Sequence, residues 1–310
     1  MHDRVVATVD LGSNSFHLLI AKVSGLEDIK VLCKKKQKVQ LRLGVDNQGE
    51  LDSTVGKKAL ACLARFATYI ERYHVTHVKA VGTYSMRKIR TDHPFIEQAN
   101  AALGHPIDII TGLQEAQLIY QGIVMAHDVK DTTLCIDIGG GSTEITLADE
   151  QEVHFTHSLE MGCVSMQQLF FKDQQLTQAN FKAAHDYTVS VLEPWIDTLC
   201  QQAPPRQQVF GSSGTIQAIH NIIKAAGPIQ MKSKGDTVFI TYNHMQWVYD
   251  QLLEMKSIDH IQFKGLRKDR ENILPGGLSI LMALFKTLNI KQMQLSYSAL
   301  REGLLAECMT

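Results

Sequence analysis

The 310 residues carry 31 Lys and Arg against 32 Asp and Glu, so no global field draws the chain to nucleic acid or an anionic membrane, and any polyanion site must be built locally. Apolar residues at 45% and charged residues at 20% describe an ordinary globular composition, and the length exceeds what one core usually supports, which predicts two domains. Six dispersed cysteines without a C-x-x-C pair read as reduced core thiols with no zinc site, and a start without a signal-peptide pattern, together with an apolar stretch at 273–285 broken by Pro275 and two glycines, predicts a cytosolic protein with no membrane span.

The run Val5-Val6-Ala7-Thr8-Val9 stops at Asp10-Leu11-Gly12-Ser13-Asn14-Ser15 and resumes over 16–21, the pattern of two strands joined by a polar turn. A third strand is expected at 29–33. An amphipathic helix follows at 53–73, with apolar positions 60, 63, 66, 67 and 70. Short apolar strands at 78–81 and 107–110 flank a helical stretch at 94–103, the alternation of an α/β layer.

The order then restarts. A strand at 132–136 ends in Asp137-Ile138-Gly139-Gly140-Gly141-Ser142, its hairpin partner runs over 143–148, and a third strand occupies 153–158. The two turns, D-L-G-S-N-S and D-I-G-G-G-S, agree at the first, third and sixth positions, and each sits at the tip of the first hairpin of its half, so an internal duplication is expected. Helices near 162–170 and 177–200 follow. Beyond them Val209-Phe210 leads into Gly211-Ser212-Ser213-Gly214-Thr215 and a helix at 216–223, 230–236 reads as a polar loop, and Leu274-Pro275-Gly276-Gly277 reads as a break before a helix at 278–288. A final helix at 299–308 is expected to pack on the first domain, so that domain comprises 1–120 and about 296–310, and the second 121–295.

Glycine-rich hairpin turns present several peptide N–H groups on one concave side and let a phosphate approach closely. Gly12, Gly139, Gly140 and Gly141 supply the backbone, and the side chains of Ser13, Asn14, Ser15, Ser142 and Thr143 add donors. Neither loop is a Walker motif or a dinucleotide fingerprint. Asp10 and Asp137 stand beside these loops, where two carboxylates repel unless a cation intervenes, and Mg²⁺ suits one or two carboxylates with water. Glu144 is a further acid. Glu115, at the start of a helix expected to run to about 127, is the candidate to activate water, although a first-turn glutamate is also favourable for the helix dipole. Arg87 follows a strand end, where α/β clefts open and a guanidinium can grip phosphate. Basic clusters at 34–42, 87–90 and 267–270 can bind anions or simply face solvent. His17 and the other twelve histidines show no metal-ligand spacing and read as core or surface residues.

Val9 to His17, Gly82 to Arg87, Asp137 to Glu144, Ser158 to Val164, Gly211 to Thr215 and Ser298 to Gly303 resemble, in that order, the motifs of the exopolyphosphatase and guanosine pentaphosphate phosphohydrolase family. The resemblance implies two duplicated α/β domains of the ribonuclease H-like, actin-like ATPase type with an interdomain cleft. It implies hydrolysis of a terminal phosphoanhydride in inorganic polyphosphate or pppGpp, with Mg²⁺ or Mn²⁺ as cofactor. By that resemblance Glu115 is the catalytic acid position, Asp137 and Glu144 act with the metal, and the two loops and Arg87 hold phosphate; Asp10 is expected as a further metal ligand from its place beside the first loop. Gly211, Ser212, Ser213, Gly214, Thr215 and Arg267 contact the nucleotide or the chain. A homodimer is compatible with it; nucleic acid and membrane are not expected partners. The family writes Glu where this chain has Gln114, and longer members carry a helical HD-like region beyond these two domains. A sugar-kinase-like phosphotransferase, whose superfamily shares the two-loop pattern, and a non-catalytic alarmone-binding sensor remain alternatives.

Overall fold

A computed structural model describes residues 4–24, 29–129, 131–149, 152–201, 208–226 and 238–309. They divide into two compact units, Met1–Met125 with Ser298–Thr310, and Ala126–Tyr297.

In the first unit β1 (Arg4–Leu11), β2 (Ser15–Val23) and β3 (Ile29–Lys38) form an antiparallel meander. After a short turn α1 (Leu41–Gly44) comes α2 (Ser53–Arg72), whose N-cap Asp52 accepts a hydrogen bond from the Val55 amide. Then follow β4 (His77–Gly82), α3 (Tyr84–Lys88), α4 (Phe95–Leu103), β5 (Ile107–Ile109) and α5 (Gly112–Val124). β4 lies parallel to β1, β5 parallel to β4, and the sheet order is β3-β2-β1-β4-β5. Strand alternation sends Val9, Leu11, Phe16, Leu18 and Ile20 to one face, where they meet Leu63 and Phe66 of α2. Burying each such side chain contributes about 1.5–3 kcal/mol.

The second unit repeats the scheme with β6 (Thr133–Ile138), β7 (Thr143–Ala148) and β8 (Val153–Leu159), followed by α6 (Cys163–Phe170), α7 (Gln178–Gln201), β9 (Gln208–Ser212) and α8 (Ser213–Ala226). β10 (Phe239–Ile240), α9 (Tyr242–Met255), α10 (Leu274–Thr287) and β11 (Met293–Leu295) complete it. Its sheet order, β8-β7-β6-β9-β11-β10, matches the first sheet strand for strand, with β10 added at the edge. The duplication expected from the two loops is thus present in the sheets, and their order is the ribonuclease H-like one that the family resemblance implied. Leu134, Ile136, Ile138, Ile145 and Leu147 pack on α8 and α10, and α10 is buried at every position from Leu274 to Phe285.

α11 (Leu300–Glu307) returns to the first unit. It crosses α5 so closely that a Cβ on Gly303 would lie 1.9 Å from the Leu118 carbonyl oxygen and one on Gly122 2.0 Å from that of Ala299. The Glu302 carboxylate accepts from the Ala299 amide and meets Lys34 Nζ at 3.4 Å.

Several expectations change. The third strand extends past Cys33 to Lys38, so the lysine run lies on an edge strand, where charge also guards against edge-to-edge pairing. The segment Leu274-Pro275-Gly276-Gly277 is no break but the first turn of α10. A proline there forfeits no helical hydrogen bond, and a Cβ on Gly276 or Gly277 would meet Cys163 O at 2.7 Å or Thr215 Cγ2 at 2.3 Å. α8 begins at Ser213, not 216. The polar segment 230–236 lies outside the described residues.

Candidate active site

The first Asp-x-Gly loop is tied to the protein through its carbonyls. Ser13 O accepts from the Arg42 amide, and Asn14 O from the amides of Val39 and Gln40. Because a trans peptide points its N–H opposite its C=O, the Asn14 amide is turned away from that anchorage. Ser85 Oγ donates to Ser13 Oγ at 2.8 Å, so the Thr83-Tyr84-Ser85 segment braces the loop. Asn14 is 7% and Ser15 4% exposed, and neither Asn14 Nδ2 nor Ser15 Oγ has a hydrogen-bond partner. Buried polar groups are nearly always paired, so two orphans in one loop leave donors that the acceptors of a ligand could satisfy.

The second loop uses the same device. Gly139 O accepts from the Cys163 amide, and Gly140 O from those of Val164 and Ser165, which turns the Gly140 and Gly141 amides outward. α6 can come this close only because Gly162 has no side chain: a Cβ there would sit 2.5 Å from Gly141 N. Thr143, expected to face phosphate, donates its hydroxyl to Met161 O at 2.7 Å and is fully buried, so it braces the loop from behind.

Strand register places Asp137 directly opposite Glu144, Glu144 opposite Ser158, and Asp137 beside Ser212. Side chains so aligned share one face. Ser212 Oγ donates to Asp137 Oδ2 at 2.5 Å and Ser158 Oγ to Glu144 Oε1 at 2.7 Å. Two facing carboxylates, each steered by a serine hydroxyl, form an acidic pair whose mutual repulsion a cation relieves. Among the described residues no group of three or more His, Cys, Asp and Glu side chains is set to hold a metal unaided. A hard cation such as Mg²⁺ binds through one or two carboxylates and completes its shell with water and phosphate oxygen, and the chemistry of this facing pair is compatible with one.

Glu115 lies in the first turn of α5, 7% exposed. Arg87 Nη1 donates to Glu115 Oε2 and to Ile110 O, each at 2.9 Å. Arg87, expected to grip phosphate, thus first positions the candidate base. Gln114, where the resembling family has Glu, completes a capping box: its Oε1 accepts from the Thr111 amide at 2.8 Å while its own amide donates to Thr111 Oγ1 at 3.2 Å. Glu and Gln serve that role equally well.

In the Gly211–Thr215 segment, Ser213 adopts a left-handed φ of 91° at the head of α8, a strained conformation typical of functional turns. Arg267 is exposed and pairs with Asp269. The buried cation there is Arg270, whose Nη2 would lie 2.1 Å from a Cβ on Gly214. Sequence reading counted Arg270 within a basic cluster but had no means to see that this guanidinium, unlike its neighbours, is folded onto a loop glycine.

A family model for the Ppx/GppA phosphatases matches residues 19–310. The chain belongs to the Ppx/GppA phosphatase family. It is 34% identical over 305 residues to a guanosine-5'-triphosphate,3'-diphosphate pyrophosphatase of Photobacterium profundum, covering 98% of this chain and 59% of that one. It is 35% identical to a Haemophilus influenzae protein provisionally named an exopolyphosphatase, covering 97% and 90%. This member thus spans about three-fifths of the length of the first of these relatives. Among solved structures an exopolyphosphatase from Cytophaga hutchinsonii superposes with a TM-score of 0.88 at 23% identity, covering 99% of this chain and 98% of that one. The Aquifex aeolicus Ppx/GppA enzyme gives 0.79 at 23% identity, covering 99% and 100%. These likenesses show that the Ppx/GppA fold is kept across the whole chain.

Proposed function

We propose that the protein is a Mg²⁺-dependent phosphoanhydride hydrolase that releases terminal phosphate from inorganic polyphosphate or converts pppGpp to ppGpp. The observation that carries this reading is the first loop, whose carbonyls are tied back while two buried donors, Asn14 Nδ2 and Ser15 Oγ, lack partners. Such a cradle fits phosphate oxygens, and family membership supplies the reaction class.

In this reading the loop amides and the side chains of Ser13, Asn14, Ser15 and Ser142 receive phosphate oxygens. Glu115, held by Arg87, takes the proton from the attacking water as its oxygen bonds to the terminal phosphorus and the bridging P–O bond breaks. Asp137 and Glu144 would hold Mg²⁺, which would supply charge neutralisation for the phosphate oxygens. Arg270 and the Gly211–Thr215 turn contact more distant phosphates or a nucleoside.

The test is phosphate release from polyphosphate and from pppGpp, side by side, with Mg²⁺ and with EDTA. Release from at least one substrate, abolished by chelation, is expected. Activity unaffected by chelation removes the metal assignment, and release from neither substrate removes the function.

A further inference from the structure

The two sheets are equivalent strand for strand, yet the rows of side chains beside their loops differ. Beside Asp137 the duplicated position on the hairpin partner is Glu144, and beyond it stands Ser158. Beside Asp10 it is His17, and beyond that Lys36.

Contacts on either side fix the face. Lys35, one residue away, lies over the Tyr69 ring of α2, whereas Lys34 reaches Glu302 of α11. Lys36 shares the Lys34 side, and so do His17 and Asp10, because residues paired across strands share a face. Lys38 continues the same side opposite Ser15, whose hydroxyl is buried without a partner.

One row is therefore acid beside acid, with neutral serines. The other is acid, imidazole, ammonium. The first concentrates negative charge and suits a divalent cation. The second sets hydrogen-bond donors and positive charge next to a loop with orphaned donors, which suits an anion and opposes a cation.

We propose that the Lys36–His17–Asp10 row is an anion-binding element in which His17 and Lys36 contact substrate phosphate and Asp10 positions His17, while the divalent cation belongs to Asp137 and Glu144. This rests on the hydrolase reading above and reassigns Asp10, which the sequence made a third metal ligand. Lys36 lies exposed on the edge strand, where a chain of successive phosphates can run past it. The preferred substrate is accordingly an extended polyphosphate.

Two independent measurements test it. In metal-free protein, Mn²⁺ binding followed by electron paramagnetic resonance is expected to weaken about tenfold or more in Asp137→Asn and Glu144→Gln, as for lost metal-site support, and to stay near wild type in Asp10→Asn. Equal weakening in Asp10→Asn overturns the proposal. In the phosphate-release assay Lys36→Gln is expected to raise KM for long polyphosphate several-fold with kcat little changed, Lys36→Arg to restore it, and His17→Ala to raise KM with partial rescue by His17→Gln. An unchanged KM in Lys36→Gln also overturns it, and because the position is exposed that variant folds. Should the wild type release no phosphate, the hydrolase reading fails separately. Calorimetric titration of long polyphosphate into wild type and Lys36→Gln then decides this one, equal affinities refuting it.

Discussion

Replacing Glu115 by Gln keeps the shape of the side chain and an acceptor for Arg87 but removes the group that takes a proton. Loss of a general base lowers kcat by about 10²–10⁴-fold, whereas the fold should lose only about 1 kcal/mol, because the amide oxygen still accepts from Nη1. Arg87→Ala acts differently. It leaves the carboxylate of a side chain only 10% exposed without its guanidinium, and breaking a buried pair costs about 3–5 kcal/mol. Arg87 is itself 22% exposed and meets Glu115 through a single nitrogen shared with Ile110 O, so solvent screening brings the figure to about 2–3 kcal/mol. For a chain of 310 residues that is a drop of roughly 3–5 °C in Tm. In Arg87→Ala/Glu115→Gln no uncompensated charge remains, so the double variant should be more stable than Arg87→Ala alone. Differential scanning fluorimetry and phosphate release on all four proteins complete the cycle. The reasoning fails if Glu115→Gln retains more than about a tenth of the activity, or if the double variant is the least stable of the four.

Asn14→Ala removes a buried donor that no protein group satisfies, so it should raise KM for the phosphate substrate while leaving Tm unchanged or slightly higher; a large loss of Tm refutes the ligand assignment. Gly303→Ala should cost about 2–3 kcal/mol, read by thermal denaturation, because the new methyl meets backbone and not a flexible side chain. Burial pushes the pKa of His127, His157, His220 and His244 below the usual histidine value, and all four lie in the second unit. Their folded values are depressed, so between those values and about 6.5 the unfolded chain binds more protons, and stability falls as pH drops through that window. The only two tryptophans, Trp195 and Trp247, also lie in the second unit, so urea midpoints followed by tryptophan fluorescence should fall between pH 7 and pH 5.5. A flat profile contradicts the burial.

The hairpins, the duplicated loops and the α/β alternation were legible because each leaves a local signal: strand periodicity, or glycine where a backbone must turn or be approached. β10 and β11, two and three residues long, carry no period to read; β11 forms on the edge of β9, and β10 on that of β11. The Leu274–Gly277 segment misled because Pro and two Gly signal a turn locally, whereas the proline is tolerated in a first helical turn and the tight approach of Cys163 and Thr215 requires the glycines there. Of the candidate residues, Asp137, Glu144 and Glu115 could be named from motifs. The Arg87–Glu115 pair could not, since nothing in the sequence says which strand-end cation folds back on which acid. Nor could the separation of Arg267, paired with Asp269 at the surface, from the buried Arg270 be read from a basic cluster.

His17 is different, because the sequence did hold the signal. It stands as far after Asp10 as Glu144 stands after Asp137, so carrying the loop alignment past its sixth residue sets imidazole against carboxylate. Comparison of the loops alone stresses what the domains share, which is backbone; the divergence begins one strand over. If the side-chain row decides which domain takes the cation, grafting it should move the preference. His17→Glu with Lys36→Ser reproduces the Asp137, Glu144, Ser158 arrangement around Asp10. The grafted protein should bind a second Mn²⁺ by electron paramagnetic resonance and hold long polyphosphate more weakly than wild type. A stoichiometry that does not rise, in a variant that melts like wild type, would show that the backbone of the loop and not the row beside it selects the ion.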